Sequence, residues 1–163
     1  MIIALLSDTH NNQSGVIDAL KILKDQKIET IIHCGDMTNS ETAELFQDFC
    51  IHHVRGNGDI DWIGIQFAVE SCQPGSSSDS IYTDLIDGKR IAALHGNDQN
   101  LYYGLLEKGA FDYVFVGHTH SHRDERIGGT RVINPGAVGG AFRGKRGFCT
   151  LNLLTDDLVF YAL

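Results

Sequence analysis

Tyr113-Val114-Phe115-Val116-Gly117-His118-Thr119-His120 is an apolar run that stops at a glycine and then presents two histidines one residue apart. Such a run reads as a buried strand handing polar side chains to its carboxyl end. The same construction recurs along the chain. Residues 1–6 run into Ser7-Asp8-Thr9-His10, residues 29–34 into Gly35-Asp36, residues 51–54 into Arg55-Gly56-Asn57-Gly58-Asp59, and residues 90–94 into His95-Gly96-Asn97. Each run therefore ends in Asp, Asn or His, the residue types that bind divalent metal ions.

Between these ends the pattern alternates. Val16, Ala19, Leu20 and Leu23 repeat at helical spacing, which predicts a helix over residues 14–26 with Ser14 as its cap. Thr38-x-x-Glu41 fits a capping box ahead of a short helix carrying Ala43, Leu45, Phe46 and Phe49. Residues 62–80 carry little signal, and the stretch Ser71 to Ser80 reads as a mobile connection. Asp87-Gly88 predicts a hairpin turn between residues 81–86 and 90–94. A helix with Leu101, Leu105 and Leu106 follows, capped by Asn97 or Asp98 and stopped by Gly109. Further hairpins are expected across Gly128-Gly129 and Asp156-Asp157, and Asn134-Pro135-Gly136 suits a type II turn. Strand–helix alternation in the first half implies parallel pairing, and the second half is rich in hairpins. Together they predict an α/β fold of two sheets packed face to face with helices outside.

A chain of 163 residues is most simply one domain, 1–163, large enough to bury roughly 70% of its unfolded surface. Its net charge of −8 argues against a nucleic-acid polymer or an anionic membrane as partner. A phosphate substrate stays open, because bound metal ions supply local positive charge. The first residues show no basic leader, and no apolar run is long enough for a membrane span. Cys34, Cys50, Cys72 and Cys149 lack C-x-x-C spacing, which reads as free thiols in a reducing, cytoplasmic setting.

Asp8, His10, Asp36, Asn57, His95, His118 and His120 form a mixed oxygen and imidazole set without thiolate. That donor chemistry suits Mn, Fe, Zn, Ni or Co rather than calcium or structural zinc. Seven donors exceed one tetrahedral ion and suit two ions roughly 3.5–4 Å apart, which activate water and neutralise phosphoryl charge. Each motif alone has a plain alternative. An isolated G-D usually caps a turn, Asn-Gly is a turn signal, and D-x-H occurs by chance in surface loops. Five together behind apolar runs are hard to explain that way. His33 and Cys34 read as core, and His52, His53 and His122 as lying outside ligand reach.

The ordered motifs D-x-H, G-D, G-N-x-D, H-G-x and G-H-x-H resemble the calcineurin-like metallophosphoesterase superfamily, and the short length with Asn134-Pro135-Gly136 resembles its small YfcE-like or MJ0936-like phosphodiesterase branch. The resemblance runs from Ser7 to about Gly139. It implies a four-layer α/β/β/α sandwich. It further implies that Asp8, His10 and His120 hold a first ion, that Asn57, His95 and His118 hold a second, and that Asp36 bridges both, with manganese the first candidate and nickel, iron, zinc or cobalt alternatives. A bridging hydroxide would be the nucleophile on a small organic or nucleotide phosphodiester. Two departures matter. Many members carry a histidine after the motif asparagine to protonate the leaving group, where this chain has Gly58; and H-G-H is here H-G-N, ending at Asn97. Asp59 joins the candidate catalytic set as an orienting group, and Arg143 is a candidate phosphate contact beside Lys145 and Arg146. The alternatives are a phosphomonoesterase, or a non-catalytic scaffold like the retromer subunit of the same superfamily. The oligomeric state, a homo-oligomer included, is left open by the sequence.

Overall fold

The central strands sort their side chains by parity, and that sorting builds the layers. The structure is a computed structural model describing residues 1–107, 109–139 and 146–163. In β1 (Ile2–Leu6) every core residue is fully buried, but Ala4 and Leu6 face one apolar cluster while Ile3 and Leu5 face another. In β7 (Tyr113–Phe115), Tyr113 and Phe115 join that second cluster, and Val114 joins a third. Alternate residues of a strand point to opposite faces, so a continuous apolar run is the mark of a sheet covered on both sides.

The first sheet begins with β1, β2 (Thr30–His33), β3 (Cys50–Val54) and β4 (Ser77–Asp79), paired in parallel in that order. Beyond β1 it continues antiparallel through β10 (Gly147–Asn152) and β11 (Asp157–Ala162). The second sheet has the order β5 (Tyr82–Ile86), β6 (Lys89–Ala93), β7, β9 (Thr130–Pro135) and β8 (His122–Ile127). There β6, β7 and β9 are parallel and the two edges antiparallel.

Helices cover the outer faces. On the first sheet lie α1 (Gln13–Asp25), α2 (Ser40–Ala43) with the 3₁₀ turn Glu44–Phe46, and α3 (Trp62–Glu70). On the second lies α4 (Gln99–Glu107), through Leu101, Tyr102, Leu105 and Leu106. The result is the expected α/β/β/α sandwich of two mixed sheets. From α1, Val16, Ala19, Leu20 and Leu23 are buried as the spacing predicts, each of the larger side chains contributing about 1.5–3 kcal/mol. No helix among the described residues is long and apolar enough to cross a membrane. The four cysteines are free.

Several local readings need correction. The cap of α1 is Asn12, whose side chain accepts from Gly15 N at 3.1 Å; Ser14 instead donates to Asn12. The capping box at Thr38 is absent because Thr38 has φ +81° and its hydroxyl bonds Asn11, so Asn39 caps α2 by accepting from Thr42 N. Residues 62–80 hold α3 and β4. The helix was obscured because Ile63 and Phe67 on its outer face are exposed, which blurs the apolar stripe. In the stretch expected to be a loose connection, Ser77, Ser78 and Asp79 pair in register with His52, His53 and Val54.

Candidate metal centre

All five strand ends meet at one edge of the sandwich, where the parallel strands of both sheets terminate. Asp8 and His10 follow β1, Asp36 follows β2, the loop 55–59 follows β3, His95 follows β6, and His118 and His120 follow β7. The backbone there is held in an unusual conformation. Asp8, His10, Asp36, His118 and His120 have φ of +52°, +41°, +57°, +65° and +57°. Left-handed backbone costs a non-glycine residue about 1–2 kcal/mol, and clusters of it mark functional sites.

The side chains converge as acceptors. His120 Nε2 lies 3.1 Å from Asp8 Oδ1 and 3.1 Å from His10 Nε2. His10 Nε2 is also 3.8 Å from Asp8 Oδ1 and 3.7 Å from Asp36 Oδ2. The other oxygen of Asp36, Oδ1, lies 3.4 Å from His95 Nε2. Two groups of three with metal-ligand geometry result, Asp8–His10–His120 and Asp8–Asp36–His95. The His118 ring stands edge-on to that of His95, centroids 5.1 Å apart. Asn57 is solvent-exposed between Gly56 and Gly58.

The tautomer of His95 decides what such a cluster wants. Its Nδ1 is 2.7 Å from the Cys34 carbonyl oxygen, which can only accept, so Nδ1 carries the hydrogen and Nε2 presents a lone pair. That lone pair faces a carboxylate oxygen inside the protein. Asp8 Oδ1 and His95 Nε2 are both buried and lack hydrogen-bond partners among the described residues. Buried acceptors facing each other are satisfied by a proton or a metal ion held between them. Burial pushes the Asp8 carboxyl up, against the Ser7 hydrogen bond and the nearby His95 and His120. For His95 burial works against the charged ring, yet Asp36, the Cys34 carbonyl and the charge of Asp8 outweigh it and raise its pKa. Asp36 moves the other way: burial would raise it, but the nearby His95 and the Gly58 N–H hold it below the usual carboxylate range. The donor set fits divalent transition-metal ions.

The chain belongs to the calcineurin-like phosphoesterase superfamily. The profile of that superfamily's domain matches residues 1–156. Phosphodiesterase MJ0936 of Methanocaldococcus jannaschii is 28% identical over 146 residues, 88% of either chain. A solved archaeal phosphodiesterase superposes with a TM-score of 0.94 at 27% identity, covering all of both chains. Vacuolar protein sorting 29 from Cryptosporidium parvum shares the fold alone, with a TM-score of 0.74 at 20% identity over 99% of this chain and 91% of its own. As a member of this superfamily, the chain is a phosphoesterase, a hydrolase of phosphoric esters.

The phosphoesterase orients its candidate ligands through groups that the sequence reading passed over. The Ser7 hydroxyl donates to Asp8 Oδ2 at 2.6 Å, and His118 N donates to the same oxygen at 3.1 Å. Asn134 Nδ2 donates to the Gly117 carbonyl at 2.7 Å and to Thr119 Oγ1 at 3.1 Å, clamping the His118–His120 loop. Asp59 sits among backbone N–H groups of the neighbouring loops. Its carboxylate accepts from Asp36 N, Gly56 N and Thr38 N, and from His53 Nε2 at 3.2 Å. Burial alone would raise its pKa, but these bonds, led by His53, hold it far below the ordinary carboxylate range. His53 in turn meets the Ser78 hydroxyl at 2.8 Å, which explains why Ser78 of β4 is buried.

The remaining histidines lie elsewhere. His33 is buried in contact with Phe46 and His53, His52 stacks on Tyr82 at 4.2 Å, and His122 stacks on Phe160 at 4.5 Å. Arg146 is exposed. Arg143 and Lys145 fall outside the described residues.

Proposed function

We propose that this phosphoesterase hydrolyses a small organic or nucleotide phosphodiester, using two divalent transition-metal ions held within a single domain, 1–163. Asp8, His10 and His120 would hold one ion; Asn57, His95 and His118 would hold the other; Asp36 would be shared, with manganese the first candidate. The observation that carries the reading is the splay of Asp36, whose Oδ2 faces His10 while Oδ1 faces His95. When bound, such a pair supplies a water that ionises near neutral pH and positive charge for the phosphoryl oxygens.

The chain's own part is positioning and proton placement. The Cys34 carbonyl keeps the hydrogen of His95 on Nδ1, so Nε2 stays free to ligate. The Gly58 N–H, 2.6 Å from Asp36 Oδ1, fixes the carboxylate that both halves share. Gly58 offers no imidazole to protonate a departing alcohol, which favours esters whose leaving group is stable as an anion. Bis-p-nitrophenyl phosphate with added Mn²⁺ or Ni²⁺ is the direct test. Turnover should appear, and Asp36→Ala should abolish it. Absence of turnover across several metals would overturn the reading.

A further inference from the structure

The loops that carry His95 and His118 have a second face. Gly96 follows His95, Gly117 and Thr119 bracket His118, and these residues wall a cavity of about 200 Å³ that opens against α4. Tyr102, Tyr103, Gln99 and Arg123 form its opposite side. Candidate centre and cavity therefore share two loops.

The wall has a definite chemistry. Tyr102 is nearly buried, and its hydroxyl accepts from Arg123 Nη1 at 2.8 Å. The same guanidinium lies 5.7 Å from the Tyr102 ring centroid, so Arg123 is held as a planar cation at the cavity. Tyr103 is 55% exposed, its ring 5.2 Å from that of Tyr102, and leaves a face for stacking. The Gln99 amide nitrogen donates to the Gly96 carbonyl at 3.2 Å, which leaves the Gln99 side-chain oxygen as an acceptor. An aromatic face beside a planar cation and an amide acceptor suits a flat ring bearing both acceptors and donors. Arg123 Nη2 also pairs with Glu125, so Gln99 is the group that an alkyl chain would leave unmatched. The volume admits one ring system.

Resting on the phosphodiesterase reading, we propose that this cavity is a subsite for a nucleobase-like substituent of the substrate, with Tyr103 as its stacking platform and Arg123 and Gln99 as its polar contacts. The test compares two phosphate monoesters, uridine 5′-monophosphate and methyl phosphate, as calorimetric ligands of Mn²⁺-loaded protein. The nucleotide should bind roughly tenfold tighter, as expected of one aromatic–base stack. Tyr103→Ala should remove most of that preference while leaving methyl phosphate affinity in place. Equal affinities in the wild type, or a Tyr103→Ala variant that weakens both ligands alike, would overturn the subsite. Turnover of bis-p-nitrophenyl phosphate separates the two ideas. Turnover with no nucleotide preference sinks the subsite and keeps the diesterase, whereas preference without turnover keeps the subsite and sinks the diesterase.

Discussion

Gly117→Ala is expected to loosen the candidate centre from behind, by crowding the groups that hold Asp8 and His95 in place. A methyl built on Gly117 would overlap Ser7 Oγ and approach the Cys34 carbonyl oxygen to 2.7 Å and Asp8 Oδ2 to 2.9 Å. The backbone at Gly117 lies outside the left-handed region, so the cost is steric. Overpacking of this kind costs about 1–3 kcal/mol. Displacing Ser7 also removes a hydrogen bond to a carboxylate, worth about 1.5–3 kcal/mol. Some relaxation is shared between the two, so the expected loss is about 3 kcal/mol. For a chain of this length that lowers Tm by roughly 6–12 °C. The same methyl presses on the carbonyl that fixes the His95 hydrogen, so metal content should fall as well. Thermal unfolding of chelator-treated protein, followed by circular dichroism, isolates the packing term. Ser7→Ala/Gly117→Ala should lose less than the sum of the single variants, because one overlap is relieved and the Cys34 contact is not. A Tm within about 2 °C of wild type for Gly117→Ala, equivalent to less than about 1 kcal/mol, would refute the packing argument.

Other outcomes follow from the same geometry. His118→Ala and His120→Ala should each weaken one ion before the other, seen as unequal steps in a metal titration; variants that empty both sites alike would contradict the assignment. Asn134→Leu removes the donor that clamps the Gly117 carbonyl, which should cost about 1–3 kcal/mol in unfolding free energy and weaken metal binding; an unchanged metal affinity would count against the clamp. Burial and the neighbouring His53 hold His33 at a pKa of about 3, so between pH 6.5 and that value the unfolded chain takes up a proton that the folded chain refuses. Stability should therefore fall as pH falls, with a slope approaching about 1.4 kcal/mol per pH unit, and His33→Phe should flatten it in denaturant titrations between pH 6 and 4. Depressed Asp59 has the same sign at lower pH, its contribution being present above the ordinary carboxylate pKa and lost as pH falls below it.

The candidate ligands were legible because their signal is local. Asp8, Asp36 and His118 each stand just past an apolar run, and a covered parallel strand needs no partner sequence to be recognised. Their supports were hidden because they act across the fold: Ser78 matters only once β4 lies beside β3, and Asn134 only once β9 lies beside β7. Ser7 likewise matters only across the fold, where its hydroxyl lies between Asp8 and the Cys34 carbonyl. The third helix, α3, failed to show for the opposite reason. Trp62 to Glu70 is apolar on too many sides, with Phe67 and Ile63 outward and Ile65 and Val69 inward, so no single stripe emerges. Asn12 and Asn39 displaced the predicted caps because an asparagine one or two residues away reached the free N–H groups first.

The left-handed residues carry a consequence for how this protein would respond to selection. His10, His118 and His120 sit where glycine would be at ease, so each trades about 1 kcal/mol of folding free energy for an imidazole. A library sorted for thermostability without metal should therefore drift toward glycine at these three positions. The same library sorted for metal retention should keep histidine. The two enrichment maps would be opposed at the centre and would agree across the sheets.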